Sequence, residues 1–146
     1  MTDVSAEEAA RYCAFEGGRL PTRDELIYAS AGASARRFAW GPTGLVCRRA
    51  AYGLVDGPCG SGARGPELAG ARPAGATPEG LLDLSGNVAE WTREPDGETG
   101  LHGGSFRSKL ASELTSFSAR PPRAGGDVGF RCAYDAETPR EPSQTR

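Results

Sequence analysis

The chain has a single histidine, His102, and no Cys-x-x-Cys pair among its four cysteines, Cys13, Cys47, Cys59 and Cys132. A structural zinc site wants four nitrogen or sulfur ligands, usually in closely spaced pairs, so the pattern argues against one. No apolar run approaches the roughly 18 residues of a membrane-spanning helix, so no membrane span is expected. Charge of one sign is also lacking: 17 basic and 19 acidic residues are interspersed to a net −2. Without a basic stripe, a nucleic-acid partner has no electrostatic support. Met1-Thr2-Asp3 leads straight into a polar helical pattern, with no apolar stretch of the signal-peptide kind. Gly60-Ser61-Gly62-Ala63-Arg64-Gly65 fits G-x-G-x-x-G, but no strand precedes it and no helix follows, so a dinucleotide site is not expected. A G-x-S-x-G nucleophile elbow is missing altogether.

What is present is punctuation. The 146 residues include 21 glycines and 11 prolines, and only 38% are hydrophobic. That length is one domain, and that composition suits a loop-rich α+β or β fold better than a helical bundle. Val4 to Phe15 reads as a helix opened by a Ser5–Glu8 capping box, with Val4, Ala9, Tyr12 and Cys13 on one face, and Gly17-Gly18 ends it. Thr22 and Glu25 form a second box ahead of a helix that fades at Ser30-Ala31-Gly32. From Trp40 to Gly80 turn signals dominate. Leu81 to Arg93 is the densest apolar segment, followed by a polar turn over 94–100. His102 begins a possible strand, Ser116 to Arg120 alternates weakly, and Val128 to Tyr134 reads as a final strand. Domain residues 1–134 would leave a polar, disordered tail over 135–146.

The cysteines admit two disulfides in any of three connectivities, or buried free thiols. A bridge between Cys47 and Cys59 would close a short loop, worth on the order of 3 kcal/mol. Disulfides place a chain outside the cytosol, periplasmic or secreted. With no signal peptide in the sequence, that implies a fragment of a longer protein or a start further upstream.

Four separated motifs occur in order: Gly-Gly-Arg-Leu-Pro-Thr-Arg-Asp-Glu-Leu (17–26), Phe-Ala-Trp-Gly (38–41), Gly-Leu-Leu-Asp-Leu-Ser-Gly-Asn-Val-Ala-Glu-Trp-Thr (80–92), and Gly-Gly-Ser-Phe (103–106) with Val-Gly-Phe-Arg-Cys (128–132). Together they resemble the formylglycine-generating enzymes, the sulfatase-modifying factor family, in its C-terminal part. The resemblance implies an irregular, C-type-lectin-like α+β fold with little regular secondary structure.

It also implies a calcium site on the side chains of Asp83 and Glu90 and the carbonyls of Gly86 and Val88. Ca²⁺ takes six to eight oxygens, and a tight turn through Gly86 would let these converge. From the residues alone, Asp83 capping a turn and Glu90 pairing with an arginine is the competing reading. A Cys13–Cys132 bridge is implied likewise, leaving Cys47 and Cys59 as the second pair.

The family's oxidation uses two further cysteines shortly after Gly-Gly-Ser, which bind copper and handle the substrate thiol. In this sequence Ser108 falls at the first place and Ser112 or Glu113 at the second, and no cysteine lies between Cys59 and Cys132. A neutral hydroxyl does not replace a Cu(I)-binding thiolate, so copper is not expected. His102 as a base with Ser105 nearby is the weaker reading against a hydrogen-bonded or solvent-facing histidine. Trp40, Trp91, Phe106 and Phe130 read as core anchors. The expectation is a non-catalytic binding or structural domain, a pseudoenzyme, that recognises a protein or small molecule. Its ligand surface would use Arg107, Ser108, Lys109, Glu113, Arg120 and Arg123. The rival expectations are a divergent formylglycine-generating oxidase and a truncated, non-functional product.

Overall fold

The computed structural model describes residues 1–45, 47–53 and 65–136. Two helices come first. Helix α1 (Ala6–Phe15) starts at Ser5: the Glu8 N–H donates to the Ser5 hydroxyl at 3.2 Å, and the Ser5 N–H donates back to the Glu8 carboxylate at 2.8 Å. Helix α2 (Arg23–Ala31) repeats the device with Thr22 and Glu25. Each box satisfies two backbone donors that a helix start leaves free, which is why both boundaries were legible. Tyr12 departs from the expected shared face. It is 44% exposed and packs edge-on against Phe130, while Ala9 and Cys13 take the buried stripe.

The sheet is small and mixed, in the order β3-β2-β1-β4. Strands β1 (Ala89–Arg93) and β2 (Thr99–His102) form an antiparallel hairpin that places Trp91 opposite Leu101 and Glu90 opposite His102. Strand β3 (Ala119–Arg120) adds antiparallel to β2, and β4 (Val128–Gly129) adds parallel to β1. Two boundaries differ from the sequence reading. His102 closes β2 instead of opening a strand, because Gly103 turns the chain at φ 71°. The expected strand over 128–134 joins the sheet only at Val128–Gly129, and Ala133 bridges to Arg19 further along.

The main core lies between α1 and the sheet: Val4, Ala9, Cys13, Leu20, Ala89, Trp91, Leu101 and Val128. Trp91 anchors it and donates its indole N–H to the Val4 carbonyl at 2.9 Å. A second cluster gathers Phe38, Ala50, Tyr52 and Leu114, and a third Leu26, Ala39 and Leu84. Of the four expected aromatic anchors, Trp91 and Phe106 are buried, and Trp40 and Phe130 are partly buried against the clusters. The Cys13–Cys132 disulfide, with Cα atoms 5.4 Å apart, fastens α1 to the segment beyond β4. Cys47 is disulfide-bonded too; its expected partner, Cys59, lies outside the described residues, as does the 60–65 glycine motif but for Gly65. No helix among the described residues is long and apolar enough to cross a membrane.

Arg19 grips Glu25 with two 2.7 Å bonds and Asp135 at 3.0 Å. The Arg19 bonds, aided by the Thr22 N–H, hold the Glu25 carboxyl well below its ordinary value, at about 2. A depressed carboxylate stabilises the fold above its unfolded pKa and loses that contribution as pH falls through the folded one. Glu25→Gln is therefore expected to flatten the loss of stability between about pH 4.5 and 2, read by denaturant midpoints across that window. Glu25 is partly solvated, so the change is small.

Candidate functional site

Beyond β2 the chain makes a tight turn that builds a cavity of about 230 Å³. Gly104 allows it: a Cβ there would sit 2.5 Å from Leu114 Cδ2 and 2.6 Å from the Glu113 carbonyl. Phe106 is buried and its N–H donates to the Asn87 carbonyl at 2.8 Å, which pins the turn to the 83–88 segment. The Ser105 N–H donates to Ser108 Oγ at 3.0 Å, and the Ser108 N–H returns to the Ser105 carbonyl. Glu113 Oε2 accepts the N–H groups of Lys109 and Leu110, ordering the following short turn, Ala111–Leu114.

Four of the six expected surface residues line this one cavity: Arg107, Ser108, Glu113 and Arg120. Lys109 and Arg123 are exposed outside it, as is Ser112. Glu113 thus shares the cavity with Ser108, while Ser112 does not. The sequence reading missed Asp127. It is buried, accepts from the Ser105 hydroxyl at 2.8 Å and from Arg120 at 2.7 Å, and ties the turn to the entry of β4. Burial pushes its carboxyl up, but the bonds from Arg120 and Ser105 outweigh that and hold it below its ordinary value. Its only sequence signal was a carboxylate directly before the Val-Gly-Phe-Arg motif.

Ser105 therefore serves Asp127 and is not paired with His102. The histidine is buried and its Nε2 lies 3.1 Å from Glu94 Oε1, with Thr92 on the same carboxylate oxygen. Among the described residues His102 and Ser105 do not form a nucleophile–base pair.

The other expected site lies on the 83–90 segment. Left-handed backbone at Asp83 (φ 59°), Gly86 (101°) and Asn87 (62°) coils it tightly. Gly86 is obligatory, since a Cβ would meet the Ala51 carbonyl at 2.6 Å. Asp83, Val88 and Glu90 line one open groove; Gly86 is not on its wall. Asp83 Oδ2 accepts the Gly70 N–H at 2.6 Å. Glu90, 5% exposed, receives Nε and Nη2 of Arg131, each at 2.6 Å, and Arg131 also reaches the Leu82 carbonyl. Burial opposes the Arg131 charge, yet the Glu90 carboxylate raises its pKa above the ordinary value. The competing sequence reading, a turn cap and an arginine pair, describes these contacts. Among the described residues no group of three or more His, Cys, Asp or Glu is placed to hold a metal ion.

A family model described as sulfatase-modifying factor enzyme 1-like domain matches residues 1–136. The mouse protein named inactive C-alpha-formylglycine-generating enzyme 2 is 33% identical over 97% of this chain and 51% of its own length. The formylglycine-generating enzyme of Streptomyces coelicolor is 32% identical over 94% of this chain and 53% of its own. The chain thus spans about half the length of these relatives. Among solved structures, the Treponema denticola variable protein 1 superposes with a TM-score of 0.62 at 24% identity, covering 77% of this chain and 45% of that one.

Proposed function

The chain belongs to the sulfatase-modifying factor family, and we propose that it is a non-catalytic binding domain on that family's scaffold. Relatedness alone does not decide the point, because one relative is named inactive and another is named an enzyme at nearly equal identity. The residues of the cavity carry the reading. The family's oxidation uses two thiols where the resemblance puts Ser108 and either Ser112 or Glu113, and Cys13, Cys47 and Cys132 are all bridged. A serine hydroxyl and a carboxylate are hard oxygen donors, unsuited to Cu(I). Irregular loops on a fixed scaffold suit recognition.

The test is direct. With copper and O₂ supplied, a sulfatase-type cysteine peptide is expected to keep its mass after incubation with the intact, non-reduced chain. Conversion of the cysteine to formylglycine would establish the divergent-oxidase reading instead. The Cys13–Cys132 bridge supports a periplasmic or secreted location as part of the same reading.

Calcium belongs to this proposal on narrower support. Asp83, Val88 and Glu90 share a groove, and the backbone between them is coiled through left-handed Gly86 and Asn87. Both Glu90 oxygens are engaged by Arg131, so the donor set fits Ca²⁺ only if that guanidinium yields or shares.

A further inference from the structure

We infer that the 103–121 cavity is a subsite for a small organic monocarboxylate carrying an apolar group; this deepens the binding reading and rests on it. Three donor groups on its wall are left without acceptors. The Arg107 guanidinium lies 5.3 Å from the Phe106 ring centre and makes no hydrogen bond or ion pair among the described residues. Ser118 Oγ is buried with no hydrogen-bond partner. Ser108 Oγ accepts from Ser105, and its own proton is claimed by no described residue. Donors beside a half-open cavity suit an acceptor-only ligand group, and a guanidinium fork fits a planar carboxylate through two parallel bonds.

Charge sets the valence. Arg120 is paired with Asp127 at 2.7 Å, whereas Arg107, whose charge also bears on Asp127, makes no ion pair of its own among the described residues. Glu113 adds a carboxylate to the same wall, which disfavours a dianion such as sulfate or a phosphate monoester. Size sets the extent: about 230 Å³ is below the roughly 300 Å³ at which drug-sized sites begin, so one amino-acid-sized group fits. The apolar part follows from the rest of the wall, where Gly103, Gly104, Ala119 and Pro121 offer no charge and no side-chain hydrogen-bonding group. Such a ligand arises either as a free organic acid or as the C-terminus of a peptide.

The experiment titrates the full chain with N-acetyl-phenylalanine, 3-phenylpropionate, N-acetyl-phenylalanine amide and sulfate, following the backbone amides of Ser105, Ser108 and Ala119 by NMR. Saturable shifts with at least one carboxylate are expected, with the amide at least tenfold weaker. Tighter binding of the acetylated amino acid points to a peptide C-terminus, and tighter binding of phenylpropionate to a free acid. Arg107→Met, which keeps the stacking volume on Phe106, is expected to weaken binding at least tenfold at an unchanged melting temperature, with Arg107→Lys in between. Equal binding of amide and acid, stronger binding of sulfate, no saturable shift, or full affinity in Arg107→Met overturns the proposal. None of these bears on turnover, so the non-catalytic reading stands or falls separately in the copper assay.

Discussion

Replacing Cys13 and Cys132 together by alanine is expected to cost about 2–5 kcal/mol of stability and to lower the melting temperature by roughly 4–20 °C. The bridge spans 119 residues of sequence. In the chain-entropy account a closed loop of that size restrains the unfolded ensemble by about 4–5 kcal/mol, near the upper end for a single disulfide. The fold has little to replace it with. Strand β4 is two residues long, and α1 meets the sheet through a core of small and medium side chains around Trp91. Cys13 is fully buried, so alanine also leaves a small void, whereas serine would bury a hydroxyl. Urea midpoints of the variant and of the parent chain with and without reductant read the effect. An unchanged midpoint in the double alanine variant would show that the staple is structurally idle.

The second large effect is at Glu90 and Arg131. Arg131→Met is expected to destabilise by about 3–5 kcal/mol, because it strands a buried carboxylate that now has two 2.6 Å bonds. Glu90→Gln in the same chain is expected to recover most of that loss, since the cost lies in the uncompensated charge. The pair of variants also isolates the calcium proposal. In Arg131→Met the Glu90 oxygens are free to meet a cation beside Asp83, so millimolar Ca²⁺ is expected to raise the melting temperature of that variant and not of the double variant. If calcium stabilises neither, the groove is not a calcium site, and Arg131 alone neutralises Glu90.

The sequence made the helix starts readable because each is decided within four residues: Ser5 with Glu8, Thr22 with Glu25. The count from Gly103-Gly104-Ser105 likewise reaches Ser108 directly, but it leaves the second place open between Ser112 and Glu113. Strand ends were less legible. Gly100 and Glu94 looked like one polar turn, yet the Glu94 side chain folds back over Gly100 to reach Thr92 and His102, and the strand runs on beneath it. The cavity was legible as a list of residues and not as a shape. Asp127 closes it from 22 residues beyond Ser105, and no local pattern announces that bond. Glu90 was ambiguous for a related reason: a buried carboxylate asks for a cation, and sequence does not say whether an arginine or a metal answers.

The parallel pairing of β4 with β1 sets an order of events during synthesis. Translation delivers β1 to the solvent with one edge open, and that edge stays open until Val128 and Gly129 emerge. Cys13 waits equally long for Cys132, and meanwhile Cys47 and Cys59 emerge. The earliest thiols a nascent chain offers to an oxidant are therefore the wrong partners for Cys13. Any bridge formed from Cys13 to one of them has to be reshuffled once Cys132 has arrived, a demand on isomerase capacity that early pairing of Cys47 with Cys59 would avoid.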